Sequence, residues 1–167
     1  MPHETISQGV LDQTHYRLGP RGDDLAALAD LWVAAWQMAM PQIDFSARRT
    51  WLITCVKDIE AQGGTTVCAY DGAGEVAGFF LLDLDRGYLE QIVIAPPLFG
   101  TGLAPLLIGE AQRLCPGGLT LDVNADNLRA LRFYEKAGFQ RGEPGVNPVS
   151  GLATWRMHWS STASSIA

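Results

Sequence analysis

Hydrophobic positions along the chain fall into helical and strand periods, and the alternation between them divides the sequence into elements. Tyr16-Arg17-Leu18 is a short run of strand character ended by Gly19-Pro20. Leu25, Leu28, Leu31, Trp32, Ala35 and Trp36 recur at helical spacing and predict a helix with one apolar stripe, stopped at Pro41. Asp23 or Asp24 is the expected cap, because a carboxylate accepts the unpaired N–H groups of a first turn. A second helix is predicted from Ser46, acting as its cap, to about Gln62, where Gly63-Gly64 ends it.

A meander follows. Thr65 to Tyr70 is rich in β-branched residues, Asp71-Gly72-Ala73-Gly74 is turn chemistry, Glu75 to Leu82 returns as a strand, and Tyr88 to Ile94 is a third. The last two runs are nearly continuous in apolar residues, which predicts a sheet covered on both faces. Gly100 to Leu114 reads as a helix, Leu119 to Val123 as a strand, and Asp126 to Ala137 as a helix closed by Gly138. Strand, helix, strand within about 35 residues implies a right-handed parallel crossover. Phe139 to Arg141 and Leu152 to Trp159 form an expected last strand pair around a Pro/Gly loop. The fold class is therefore α/β with a mixed sheet: an antiparallel meander, a parallel βαβ crossover and helices on both faces. One domain is expected over residues 1–160, with a frayed tail over 161–167.

Composition narrows the function more than the fold. The chain has 167 residues, 47% hydrophobic and 18% charged, with a net charge of -6. No Lys/Arg cluster interrupts the acidity, so neither a nucleic-acid footprint nor a basic membrane patch is expected. Met1 to His15 lacks the charged-then-apolar pattern of a signal peptide, and no apolar run approaches the roughly 18 residues of a membrane span. A cytoplasmic location is the expectation. Cys55, Cys68 and Cys115 lie in apolar contexts without a C-x-x-C pair and read as small core residues. His3, His15 and His158 have no metal-site spacing, so no metal is expected.

Chemistry concentrates between Leu89 and Phe139. Gly100-Thr101-Gly102-Leu103-Ala104 places two glycines after a strand and at the start of a helix. There the free N–H groups of the first turn and the positive end of the helix dipole suit a phosphate or pyrophosphate. A Rossmann fingerprint needs glycine where Pro105 stands, and a P-loop needs Gly-Lys-Ser/Thr, so neither nucleotide motif is present. Further on, Asn127 and Tyr134 are seven residues apart and project from one helical face. In order and spacing, the strand ending Val-Ile-Ala-Pro, the Gly-x-Gly-x-Ala helix start and the Asn…Phe-Tyr-x-x-x-Gly-Phe ending resemble the GNAT superfamily of acyl-CoA-dependent N-acyltransferases. The match covers about a third of the chain.

The resemblance implies an acetyl-CoA cosubstrate and an acceptor that is a small-molecule or peptide amine. It implies that the third meander strand and the strand after the crossover splay apart around the pantetheine arm. Main-chain groups of Ile92, Val93 and Ile94 would pair with that arm, and those of Gly100, Thr101, Gly102, Leu103, Ala104 and Pro105 would surround the pyrophosphate, with N–H donors from Gly100 to Ala104. Asn127 matches a side-chain contact to pantetheine, and Tyr134 the acid that returns a proton to the CoA thiolate. Glu90 and Asp122 both match positions that carry a general base in family members, and the choice stays open. A carboxylate among Leu89, Ile92 and Val93 should have a raised pKa. One departure stands out: Phe99 occupies the place of the usual Arg or Gln. Without that donor a charge-assisted hydrogen bond of roughly 1.5–3 kcal/mol is missing, and weaker CoA binding is expected.

Remaining polar and aromatic residues have plainer readings. His158 is expected to be a strand residue with a local partner, Trp32 and Trp36 core, and Asp83 and Asp85 the solvated end of a strand. The expected function is N-acetyl transfer from acetyl-CoA to a primary amine. A non-catalytic acyl-CoA-binding domain is the alternative, and a homodimer is compatible with the sequence.

Overall fold

The computed structural model describes residues 16–148 and 150–161; His3, His15 and the reading of Met1 to His15 lie outside them, as does the expected tail apart from Ser161. Seven strands form one sheet: β1 (Arg17–Pro20), β2 (Thr65–Tyr70), β3 (Val76–Asp83), β4 (Tyr88–Ile94), β5 (Leu119–Asn124), β6 (Gln140–Val146) and β7 (Ala153–Trp159), in the order β1-β2-β3-β4-β5-β7-β6. Among the described residues four α-helices cover it: α1 (Leu25–Ala39), α2 (Arg49–Ala61), α3 (Leu103–Leu114) and α4 (Leu128–Lys136). Among the described residues no helix is long and apolar enough to cross a membrane.

The continuous apolar runs of β2 and β3 follow from burial on both faces. Phe80, Leu82, Val67 and Ala69 join α3 and α4 residues such as Leu107 and Leu131 in one core. Their neighbours Phe79, Leu81, Cys68 and Tyr70 point the other way and pack with Leu28, Trp32, Leu52 and Val56 of α1 and α2. Period-2 alternation thus feeds two cores at once. Truncating a fully buried residue such as Phe79 or Leu107 would cost about 2–5 kcal/mol.

The crossover creates a gap. β4 and β5 are parallel, but they share only the register pair Tyr88↔Thr120, with the Thr120 N–H donating to the Gly87 carbonyl at 2.8 Å. At that end the backbones nearly touch: a Cβ on Gly87 would sit 2.6 Å from the Gly118 oxygen. Beyond it the strands diverge, pinned at one end and open at the other.

Several boundaries differ from the sequence expectation. Asp24 stands at the N-cap position of α1, but its carboxylate accepts the Tyr70 hydroxyl at 2.9 Å instead of a helix N–H. Ser46 does not cap α2; it opens a short 3-10 turn (Ser46–Arg48), and the Asp44 carboxylate accepts its N–H and hydroxyl. α3 begins at Leu103 rather than Gly100, because Gly100 and Gly102 adopt left-handed φ values of 79° and 93° that end any helix. α4 begins at Leu128, with Asn127 as its cap. β6 runs on to Val146, through part of the expected loop; a bulge between Arg141 and Pro144 and its edge position accommodate the proline.

Candidate active site

The open end of the β4/β5 gap is lined by two cavities, one on each side of Tyr134. The first, about 550 Å³, runs along the start of α3. Ile92, Val93 and Ile94 form one wall and Gly100, Gly102, Ala104 and Pro105 another, with Asn127, Arg129, Phe133 and Tyr134 of the α4 region closing it. Main-chain direction explains the β4 wall. The Ala95 N–H donates to the Ala77 carbonyl at 2.9 Å, on the β3 side. Alternation along an antiparallel strand therefore turns the N–H and C=O groups of Ile94 and Ile92 away from β3, toward the gap that β5 has left.

At the other end of this cavity the glycine turn presents the first turn of α3. A Cβ at Gly100 or Gly102 would meet nothing within 4 Å, so it is the left-handed backbone, not crowding, that calls for glycine there. The N–H groups of Leu103 and Ala104 are first-turn donors without intrahelical acceptors, and Pro105 has none to leave unpaired. Thr101 is an exception to the expected set: its N–H and hydroxyl both donate to the Leu98 carbonyl, at 3.2 and 2.6 Å, so it secures the turn. The Leu103 side chain is in the core, leaving only its main chain available. Asn127 caps α4, its Oδ1 accepting the Ala130 N–H at 3.1 Å. Only its amide NH₂ remains to face a ligand. Apolar walls joined to an open row of main-chain donors fit a long ligand with an anionic head, which is the shape of an acyl-CoA.

The second cavity, about 690 Å³, lies toward β5, β6 and β7 and is far more polar. Glu90, Asp122, Glu143, Arg156 and His158 line it, with Tyr88, Gln91, Asn124, Trp36 and Trp51. The register between β3 and β4 skips Glu90: Leu81 pairs with Gln91 and Leu82 with Leu89. A bulge of this kind leaves one residue outside the ladder and re-aims its side chain. Loss of solvent raises the Glu90 pKa above the usual carboxylate range; Arg86, at 3.3 Å, pulls it down, while Asp83 and Asp122 push it up.

Asp122 sits on the next strand in the opposite condition. Partial burial acts to raise its pKa, but hydrogen bonds from Arg156 and Tyr88 outweigh that and hold it below the ordinary range. Arg156, its partner in register on β7, donates from Nε at 3.2 Å and Nη2 at 3.0 Å, and the Tyr88 hydroxyl donates as well. His158 joins Glu143 at 2.9 Å.

Tyr134 lines both cavities, as do Trp36, Ile92, Asn127 and Ala130. Its ring is buried edge-on between Phe133 and Phe139, and burial pushes its hydroxyl pKa up, keeping the proton on. Trp36 packs against the core, stacked on Phe45, and also lines both cavities. Trp32 is core, its indole N–H donating to Gln91 Oε1 at 3.1 Å, whereas Trp36, one turn on, overhangs the gap. Cys55 and Cys68 are pushed up to about 11 by burial, the inert condition of packed thiols.

Arg86, Tyr88, Arg129, Glu143 and Arg156 were not singled out by the sequence. One signal was available: Thr154, Arg156 and His158 alternate with Trp155, Met157 and Trp159, so they share a strand face. Which strand that face adjoins is a matter of register, which alternation does not carry.

Comparison with known proteins identifies the family and the fold. Residues 25–139 match the model of the Acetyltransferase (GNAT) family. The chain is 32% identical over 111 residues to the peptidyl-lysine N-acetyltransferase YjaB of Salmonella typhimurium, a match covering 65% of this chain and 74% of that protein. It is 25% identical over 136 residues to the peptidyl-lysine N-acetyltransferase YiaC of Escherichia coli, covering 81% and 90%. Among solved structures, the PaiA N-acetyltransferase of Thermoplasma acidophilum in complex with coenzyme A superposes with a TM-score of 0.73 at 15% identity, over 87% of this chain and 98% of that one.

Proposed function

The chain belongs to the GNAT family of acetyltransferases, and on that premise we propose that it transfers the acetyl group of acetyl-CoA to a cationic primary amine, with Glu90 as general base and Tyr134 as general acid. The observation that carries this proposal is the shared wall: a single buried tyrosine borders both an apolar cavity with main-chain donors and a polar cavity holding a carboxylate of raised pKa.

Acetyl-CoA supplies an activated carbonyl and a thiolate leaving group. The main-chain N–H groups of Leu103 and Ala104 receive its pyrophosphate, and the gap-facing edge of Ile92 and Ile94 pairs with the pantetheine amides as an added strand would. The N–H of Ile92, which borders both cavities, supports the oxygen on which negative charge develops. Glu90 removes the proton that blocks the acceptor's lone pair, directly or through one water. Its raised pKa suits a base near neutrality, whereas Asp122, held ionised by Arg156 and Tyr88, is a weak proton acceptor. Tyr134 keeps its proton until the departing thiolate takes it.

Acceptor class follows from charge. Asp122 is paired with Arg156 and Glu90 with Arg86, so three carboxylates, with Glu143, face two guanidinium groups, which leaves the cavity an acidic excess beside the indoles of Trp36 and Trp51. Cationic amines are favoured over anionic ones, and the lysine side chain that the relatives' names point to has that chemistry. A thiol-release assay with acetyl-CoA over lysine peptides, polyamines and amino acids tests the assignment. Amine-dependent release, strongest for cationic acceptors, is expected. Acetyl-CoA binding with no acceptor-dependent release would instead favour a non-catalytic acyl-CoA-binding domain.

A further inference from the structure

Phe99, directly ahead of Gly100, is 39% exposed, yet its ring is not bare. The guanidinium carbon of Arg129, from the second position of α4, lies 5.5 Å from the ring centroid, within the reach at which an aromatic quadrupole attracts a cation. Both residues line the same cavity as Gly100, Gly102 and Ala104. Among the described residues, Arg21, Arg49, Arg86, Arg113, Arg141 and Arg156 are each tied to a carboxylate. Arg17, Arg48, Arg129 and Arg132 take part in no such pair; Arg17 and Arg48 lie over the rings of Tyr70 and Phe45, and Arg129, over Phe99, is the one of these four that lines this cavity, in a chain of net charge -6.

A guanidinium over an aromatic ring and without a carboxylate partner, beside the positive end of α3, concentrates positive potential at one mouth of an apolar cavity. The nucleotide end of an acyl-CoA carries a pyrophosphate and a 3′-phosphate, and a guanidinium binds phosphate through a planar fork of donors. We propose that Arg129, seated on the Phe99 ring, is the side-chain cation that holds the phosphate groups of the donor's nucleotide end. The assignment rests on the acetyl-CoA reading above. Phe99 is then the platform for a donor contributed by another element, and the weaker binding that an apolar residue 99 implies is offset.

Calorimetric titration of CoA and of dephospho-CoA, which lacks the 3′-phosphate, into the wild-type chain, Arg129→Gln and Phe99→Leu tests it. Arg129→Gln is expected to weaken CoA binding roughly 10- to 100-fold and to flatten its salt dependence, with the ligand-free melting temperature unchanged. Equal loss with dephospho-CoA assigns the cation to the pyrophosphate; loss confined to CoA assigns it to the 3′-phosphate. Phe99→Leu should lose a smaller part, about threefold, and unchanged affinity there would remove the platform. CoA affinity of Arg129→Gln within twofold of a wild-type chain that binds CoA would overturn the assignment while leaving the donor reading intact. A wild-type chain that binds no CoA would take both away.

Discussion

The two cavities that meet at Tyr134 are made of different materials. The one beside α3 is walled by aliphatic side chains and by main chain: the outward edge of β4, the glycine turn and the first turn of a helix. The one beside β5 and β7 is walled by charged side chains that constrain one another, Asp122 with Arg156, Glu143 with His158, and Glu90 with Arg86. On the proposal above, the main-chain site recognises what every acyl-CoA shares, because its donors depend on backbone shape and survive most substitutions. A side-chain site can be retuned one residue at a time, and on the proposal above that is where acceptor choice lies. The contrast is sharpest between two carboxylates on neighbouring strands. Glu90 is desolvated and weakly paired, Asp122 accepts three hydrogen bonds from two residues, and their pKa values move in opposite directions.

Substitutions that break this contrast should have unequal effects. Glu90→Gln is expected to have the largest, a fall in kcat of about 10²–10⁴-fold with the acidic limb of the pH–rate profile abolished and CoA affinity kept. If Asp122→Asn removed that limb and Glu90→Gln did not, the roles of the two carboxylates would be reversed. Tyr134→Phe comes next, lowering kcat by roughly 10²-fold with acetyl-CoA affinity nearly unchanged in the same titration. An unaltered kcat would assign protonation of the thiolate to another group.

Gly102→Ala probes the main-chain site without touching the acceptor side. Its φ of 93° would cost a side-chain-bearing residue about 1–2 kcal/mol, read as a lower melting temperature, and relaxation of the turn should weaken CoA binding with little change in acceptor KM. Asp122→Asn should do less, costing under about 1 kcal/mol of stability, because it loosens a partly exposed ion pair. Arg86→Ala should alter kcat least. On the proposal that Glu90 is the base, its active form is deprotonated, and Arg86 lowers its pKa. Its removal therefore moves the acidic limb to higher pH; a shift to lower pH would detach that limb from Glu90.

Local chemistry accounts for the elements that were legible. β2 and β4 fall where β-branched and apolar runs predict them, and the glycine turn and Asn127 are visible because each is a backbone requirement met within a few residues. Caps were harder: Asp24 has the right side chain in the right place, but the Tyr70 hydroxyl, reached only when β2 packs beside α1, takes its carboxylate. Trp36 carries the same apolar signal as Trp32, and only the divergence of β4 from β5 decides that it lines the gap as well as packing against the core.

The sequence by itself determined the order of elements, the family, the glycine turn at the start of α3 and the two candidate carboxylates. Those features rest on period, on φ freedom and on residues close together along the chain. Tertiary structure alone decided that Arg156 neutralises Asp122, that a bulge turns Glu90 out of the ladder, and that Arg129 covers Phe99. Each of those depends on strand register or on the docking of a helix. A charge acquires its strength and its pKa from neighbours and solvent that only the packed chain brings to it.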